Sequence, residues 1–270
     1  MVTGTTKLYI IVGHPIAQVK APEVFNQWFE RQGMDCVMIP LDIQADGLAS
    51  FAKLFRESEN IHGVIATIPY KALITKYIDR PSPQVAALGA ANIVRRTKGR
   101  EIEGDMVDGK GFLRALGKKG VSIKAKHLFI IGCGGAGSAV AWDALAAGAA
   151  QVSLLDVDQE KARDLRARLV PHFPGQAIEV VSVPPTHFDI VLNATPLGMR
   201  ATDPLPMPIH EIPAGAIVTD AVTSPPITPF LKGARENGHV IQAGREMVVG
   251  QAPLIAEYFG MKGFEEGMYR

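Results

Sequence analysis

Cysteine is scarce in this sequence, and so is net charge. Cys36 and Cys133 are its two cysteines, too few for a disulfide framework, which excludes the small stapled secreted folds and fits thiols kept reduced. Lys and Arg number 28 against 27 Asp and Glu, a net charge of +1. No global field therefore draws nucleic acid, an anionic membrane or an acidic partner. Apolar runs stay well short of a membrane span, and the opening MVTGTTKLYIIVG has too short an apolar stretch for a signal peptide. The seven histidines show no metal-ligand spacing, so no metal is expected. Repeats and low-complexity tracts are absent. The compartment these absences imply is the cytoplasm, with no nucleic-acid and no membrane partner.

What is present is an ordinary globular composition, 47% hydrophobic and 20% charged over 270 residues, enough for one large or two ordinary domains. Strand-like and helix-like stretches alternate. KLYIIVG precedes the amphipathic EVFNQWFERQG; CVMIPLDI precedes LASFAKLFRESEN; GVIATIPY begins like a strand. A cleaner series starts near residue 126, where KHLFII and QVSLLD flank the helix-like SAVAWDALAAGA. The charged helix QEKARDLRARLV follows, then FDIVLNAT and AIVTDAV. That order predicts an α/β fold with largely parallel pairing. Pro-rich stretches at 204–213 and 225–229 read as surface loops.

HLFIIGCGGAGSAVAWDALAAGA contains Gly132-x-Gly134-x-x-Gly137 between a strand and a helix. A second strand then ends in Asp156, about 20 residues on. Gly132, Gly134, Gly135, Ala136 and Gly137 fit a loop whose backbone must turn tightly and approach a pyrophosphate on a helix N-terminus. A carboxylate at Asp156 can accept from ribose hydroxyls. It would repel a 2′-phosphate about 5 Å away by roughly 3 kcal/mol at an effective dielectric near 20. No Lys or Arg follows immediately in Asp156-Val157-Asp158, so NAD is expected over NADP. Lys161 and Arg163 read as a solvated helix face.

Other stretches carry chemistry. ATIPYK sets Lys71 just beyond a strand end. GAAN ends in Asn92, GDMVDGKG places Asp108 among glycines, and GREMVVGQ opens a C-terminal helical stretch. Together with GHPI at 13–16, NATPLGM at 193–199 and TSPPITPFL at 223–231, this order resembles the shikimate/quinate dehydrogenase family from Gly13 to Gln251. The resemblance implies an N-terminal α/β substrate domain with a mostly parallel sheet (1–106) and a Rossmann-type doubly wound nucleotide domain (107–239). It also implies a C-terminal helical segment (240–270) that returns to the first domain, with substrate in the cleft.

Residue by residue, Lys71 and Asp108 match the family's catalytic lysine and aspartate. A Lys/Asp pair gripping one hydroxyl can take its proton and stabilise charge on the oxygen while a hydride leaves. Which of the two carries the proton stays open. Thr67, Asn92 and Gln251 match positions that bond ring hydroxyls. Asn193 and Thr195 fall where the family borders the cofactor, and Ala221, Val222, Gly244 and Met247 near its nicotinamide end. Cys133 reads as a small residue rather than a nucleophile, Trp28 and Trp142 as core, and Lys118-Lys119 as a solvated turn.

One end of this pattern is altered. The family loop reads G-x-P-I-x-H-S-x-S-P, its two serines and a later tyrosine holding the substrate carboxylate. Here those positions are Val19, Ala21 and Thr223, while Ile65 and Met106-Val107 replace further polar residues. Each lost bond to a charged group is worth about 1.5–3 kcal/mol, and an unpaired carboxylate against hydrocarbon is costly. The expected enzyme is an NAD-dependent dehydrogenase, monomer or homodimer, of a cyclic alcohol whose far end is apolar or uncharged. Two alternatives remain: a shikimate or quinate dehydrogenase using Lys20, Arg245 or Thr223 as a substitute anchor, and a non-catalytic nucleotide-binding paralogue. In an extended loop Lys20 would project opposite to Val19 and Ala21.

Overall fold

Among residues 2–264, which the computed structural model describes, the alternating signals become two six-stranded sheets flanked by helices. The chain divides into two units. One runs through Val107 and takes in the chain from Gln251 onward; the other is Asp108–Gly250. The second division falls within a single helix, whereas 239/240 was the boundary expected from sequence.

In the first unit the strands are β1 (Lys7–Gly13), β2 (Cys36–Asp42), β3 (Ile61–Ala66), β4 (Arg80–Pro81), β5 (Ile93–Arg96) and β6 (Ile102–Asp105), in the order β2-β1-β3-β5-β6-β4. β1 pairs in parallel with β2 and β3. β5 runs antiparallel to β3 and β6. The reversal from β5 to β6 has a local cause: Thr97–Arg100 is a tight turn, with Arg100 at φ 67 and its N–H donating to Thr97 O at 3.0 Å. The helices are α1 (Ala21–Arg31), α2 (Leu48–Glu57), α3 (Tyr70–Leu73) and α4 (Pro83–Leu88). In α1 the apolar residues recur at helical spacing, so Ala21, Val24, Phe25, Trp28 and Phe29 share the buried face. They pack with Tyr9, Ile11, Met38, Ile65 and Ile255 in one core.

The second unit begins with α5 (Asp108–Lys118). Its strands are β7 (His127–Ile131), β8 (Gln151–Leu155), β9 (Ala177–Val180), β10 (Ile190–Asn193), β11 (Ile217–Asp220) and β12 (Ile241–Gln242). Helices α6 (Gly135–Ala146), α7 (Gln159–Leu169) and α8 (Pro229–Glu236) fall between them, and α9 (Gly244–Tyr258) ends the series. Every pairing in this sheet is parallel. The order β9-β8-β7-β10-β11-β12 is the doubly wound 3-2-1-4-5-6 arrangement, which places ligands beyond the strand C-termini where the order reverses, here between β7 and β10. The central strands are continuous apolar runs because both faces are covered.

Several local readings change. Asp108 stands among glycines in GDMVDGKG, yet Gly109 and Gly111 lie inside α5. Helical glycine costs about 1 kcal/mol; here it lets backbones touch. A Cβ on Gly109 would collide with Ala139 O of α6, and one on Gly250 with Gly111 O. Lys119 is not simply solvated: its ammonium lies 2.6 Å from Glu246 of α9. Trp28 is fully buried, whereas Trp142 is half-buried against His172 and Phe173.

Candidate active site

In the first unit the loops leaving β1 and β3 run side by side. His14 N–H donates to Ile68 O at 3.0 Å, and a Cβ on Gly13 would lie 2.5 Å from Thr67 Cγ2. Only glycine lets the two chains approach this closely. The turn at 67–70 is closed by Tyr70 N–H to Thr67 O at 2.7 Å, and the buried Tyr70 hydroxyl donates to Ile43 O. Lys71 follows this anchor, half-buried, its carbonyl accepting from Ala91 N–H at 2.8 Å.

Asn92 is buried between β3 and the segment that leads to Asp108. Its carbonyl accepts from Ala66 N–H at 2.8 Å, its N–H donates to Asp105 O at 3.1 Å, and its Oδ1 accepts from Val107 N–H at 2.9 Å. The side chain expected to bond substrate thus also holds the backbone at Val107. Gln251 is buried in α9.

After β1, positions 19 and 21 carry hydrocarbon. Val19 packs half-buried against the core, and Ala21 belongs to that core as the first residue of α1. Lys20 does not continue an extended loop. It has φ −112 and ψ −13, entering the helix, and its exposed ammonium pairs with Glu23 at 2.8 Å. Beside the loop, His14 Nδ1 lies 2.7 Å from Asp42 Oδ1.

In the second unit Asp108 is buried as the first residue of α5. The three fingerprint glycines differ in their surroundings. Gly132 has φ 102, and a Cβ there would lie 2.8 Å from Thr195 Cγ2. A Cβ on Gly137 would collide with Gly132 O, so this glycine seats α6 on the turn. A Cβ on exposed Gly134 would meet nothing within 4 Å. It is the open glycine, at the N-cap of α6, where free N–H groups favour an anion. Gly135 and Ala136 are half-buried in the first turn of α6.

Asp156 closes the far side of the loop. Oδ2 accepts from Cys133 N–H at 2.8 Å and Oδ1 from Asp158 N–H at 2.9 Å, and each oxygen keeps a second lone pair. Val157 is fully exposed. Lys161 and Arg163 are exposed and pair with Asp158 and Glu160. The Cys133 thiol is pushed up to about 12 by burial and by the neighbouring Asp156, so it is no nucleophile near neutral pH.

Beyond β10 and β11 the remaining predicted residues come together. Asn193 is fully buried, with Oδ1 accepting from Thr195 Oγ1 at 2.6 Å and Nδ2 donating to Leu197 O at 2.9 Å. Its side chain therefore shapes the loop. A Cβ on Gly244 would collide with Val222 O, so α9 starts directly against the Ala221–Val222 backbone; Met247 is buried one turn on, Thr223 is half-buried and Arg245 exposed. Sequence reasoning missed Asp220 and Thr228. Thr228 caps α8 by accepting from Leu231 N–H at 3.3 Å, and the signal was legible in Thr228-Pro229, a capping residue before a proline.

An open glycine, a helix N-terminus and a carboxylate after the second strand fit a dinucleotide. The comparisons agree. Residues 11–94 match the shikimate dehydrogenase substrate binding domain. A shikimate dehydrogenase (NADP(+)) of Lysinibacillus sphaericus strain C3-41 is 31% identical over 258 residues, covering 94% of this chain and 92% of that protein. Among solved structures, 5-ketofructose reductase of Gluconobacter sp. strain CHM43 matches with TM-score 0.88 and 27% identity, over 98% of this chain and 97% of that one. Shikimate 5-dehydrogenase from Listeria monocytogenes, in complex with shikimate and NAD, matches with TM-score 0.88 and 26% identity, over 99% and 95%.

Proposed function

The chain belongs to the shikimate/quinate dehydrogenase family, and we propose that it is the NAD-dependent dehydrogenase of a cyclic alcohol lacking a carboxylate. As a member of that family it is an oxidoreductase acting on CH–OH donors with a nicotinamide cofactor. The first unit holds substrate in this reading, and Asp108–Gly250 holds the dinucleotide.

A bound nicotinamide cofactor would supply the hydride acceptor for oxidation of the alcohol carbon. Gly132, Gly134, Gly135, Ala136 and Gly137 with the first turn of α6 would hold its pyrophosphate. Asp156 would accept from the ribose hydroxyls, and Thr195, Ala221, Val222, Gly244 and Met247 would border the nicotinamide. Lys71 and Asp108 act on the alcohol proton, one as acceptor and the other stabilising charge on the oxygen. Thr67, Asn92 and Gln251 orient the ring hydroxyls.

NAD preference rests on Asp156 and on Val157, which offers hydrocarbon rather than a cation beside it. The Lysinibacillus relative is named for NADP(+) and the Listeria enzyme is seen with NAD, so both cofactors occur within the likeness. Titration of NADH and NADPH by fluorescence decides between them. Equal or tighter NADPH binding would refute the preference, and Arg168, whose charge acts on Cys133, is then the first residue to remove.

One observation carries the substrate reading. Val19 and Ala21 present only hydrocarbon where the family presents two serines, and both join the apolar core. Lys20 is already paired with Glu23. Supporting it, the reductase from Gluconobacter is named for 5-ketofructose, a sugar ketone without a carboxylate. The test is Val19→Ser with Ala21→Ser and Thr223→Tyr. Bonds of about 1.5–3 kcal/mol each, less imperfect geometry, should give the triple variant about 2–5 kcal/mol toward a ring carboxylate. It should also lose activity on the uncharged substrate. No gain in shikimate or quinate turnover would mean these positions do not anchor a carboxylate.

A further inference from the structure

Asp220, the last residue of β11, is 1% exposed, and the side chains around it, Asn193 and Thr228, are each 0%. Its carboxylate accepts from three groups, one at the end of β10 and two in the loop after β11. Oδ1 takes Val222 N–H at 2.8 Å and Asn193 Nδ2 at 3.1 Å, and Oδ2 takes the Thr228 hydroxyl at 2.7 Å. Through Asn193 the network continues to Thr195 N–H at 3.1 Å, the Thr195 hydroxyl and Leu197 O. Through Thr228 it reaches the first turn of α8.

The backbone packing follows the same lines. A Cβ on Gly198 would lie 3.1 Å from Thr228 Cβ, so the loop after β10 rests on the residue that bonds Asp220. The Gly132 turn abuts Ala194 and Thr195, and Gly244 abuts Val222. The loops after β10 and β11 therefore meet at one buried carboxylate, and the Gly132 turn packs on the first of them. The groups that bond it are all neutral. An unpaired buried carboxylate is expensive, and a helix cap alone would be served as well by an exposed residue.

We propose that Asp220 is a positioning residue for the dehydrogenase reaction, locking the loop after β10 to the loop after β11 and so fixing the backbone that borders the nicotinamide. This rests on the assignment of Thr195, Ala221 and Val222 to the cofactor site. Asp220 touches neither substrate nor cofactor in this scheme. It acts through Asn193 and Val222. Perturbed buried carboxyls gather where function needs geometry, and burial does hold this one high.

The test compares Asp220→Ala, Asp220→Asn and Thr228→Val with wild type. NADH affinity is read by fluorescence, KM for NAD and kcat by steady-state kinetics, and loop order by amide hydrogen exchange without cofactor. Asp220→Ala should weaken NADH binding by at least tenfold and speed exchange in 194–198 and 221–228 together. The 151–155 strand should keep its protection. Asp220→Asn, which retains the Oδ1 acceptor, should restore NADH affinity to within about threefold of wild type. Thr228→Val removes one bond at nearly constant shape and should weaken NADH three- to fivefold, raising KM for NAD more than it lowers kcat. It stands in for Asp220→Ala should that variant not fold. Unchanged NADH affinity in folded Asp220→Ala or in Thr228→Val, or faster exchange in one loop alone, would overturn the role of Asp220. If wild type binds no NADH, the cofactor assignment fails first and the positioning role with it.

Discussion

Raising the pH from about 4 to about 7 should drain stability through Asp220, the reverse of what most carboxylates do. Burial holds its folded-state pKa up at about 6 against an ordinary 3.8, despite bonds from Val222, Thr228 and Asn193 that favour the anion. Between those two values the native chain keeps the proton and the unfolded chain releases it. The contribution is therefore full below about pH 4 and lost as pH rises through about 6. A gap of about two pH units corresponds to about 3 kcal/mol. Asp79 behaves oppositely. Its bonds from Arg56 and from Ile102 N–H hold it below the usual range, so its contribution is present above the ordinary value and fades only in more acid solution. Asp220→Asn keeps an acceptor and has no proton to lose. Urea unfolding of wild type and variant at matched pH isolates the effect, since other groups cancel in the difference. The variant should gain on wild type by up to about 3 kcal/mol between about pH 4 and pH 7, then hold level. Parallel curves would refute this coupling of burial to ionisation.

Lys71→Ala and Asp108→Asn should each cut turnover by about 10²–10⁴-fold with NADH affinity nearly unchanged; near-normal turnover in either removes its assignment. Gly134→Ala should fold normally, because a Cβ there meets nothing, yet weaken NADH by about tenfold or more by blocking the pyrophosphate. Gly137→Ala should instead lower the melting temperature sharply, its Cβ driven into Gly132 O; a reversed pattern in calorimetry and titration would contradict both roles.

The doubly wound unit was the most legible part of the chain. Its central strands are largely apolar runs, and the glycine spacing marks one turn in which Gly132 and Gly137 each have a steric reason while Gly134 stands open. The first unit was less legible at β5 and β6, where four-residue strands around Thr97–Arg100 carry too short a pattern to separate from loop. α5 escaped because Gly109 and Gly111 signal a turn locally, and the close approaches of Ala139 to Gly109 and of Gly250 to Gly111 are tertiary facts. The sequence does not show that the Asn193 amide is used internally. Asp220 and Thr228 escaped because a lone strand-end aspartate says nothing until folding brings a threonine and an amide to it.

The altered loop after β1 leads to the claim that matters most. The most direct measurement is kcat/KM of the wild-type enzyme with NAD across a panel of cyclic alcohols, with shikimate and quinate beside uncharged polyols of similar size. The expected result is efficient oxidation of an uncharged member, with shikimate and quinate slower by at least a hundredfold, on the order of two lost charge-assisted bonds. Oxidation of shikimate or quinate as efficiently as the best uncharged member would contradict it, and would turn attention to Arg245 and Lys20 as the groups that hold the carboxylate.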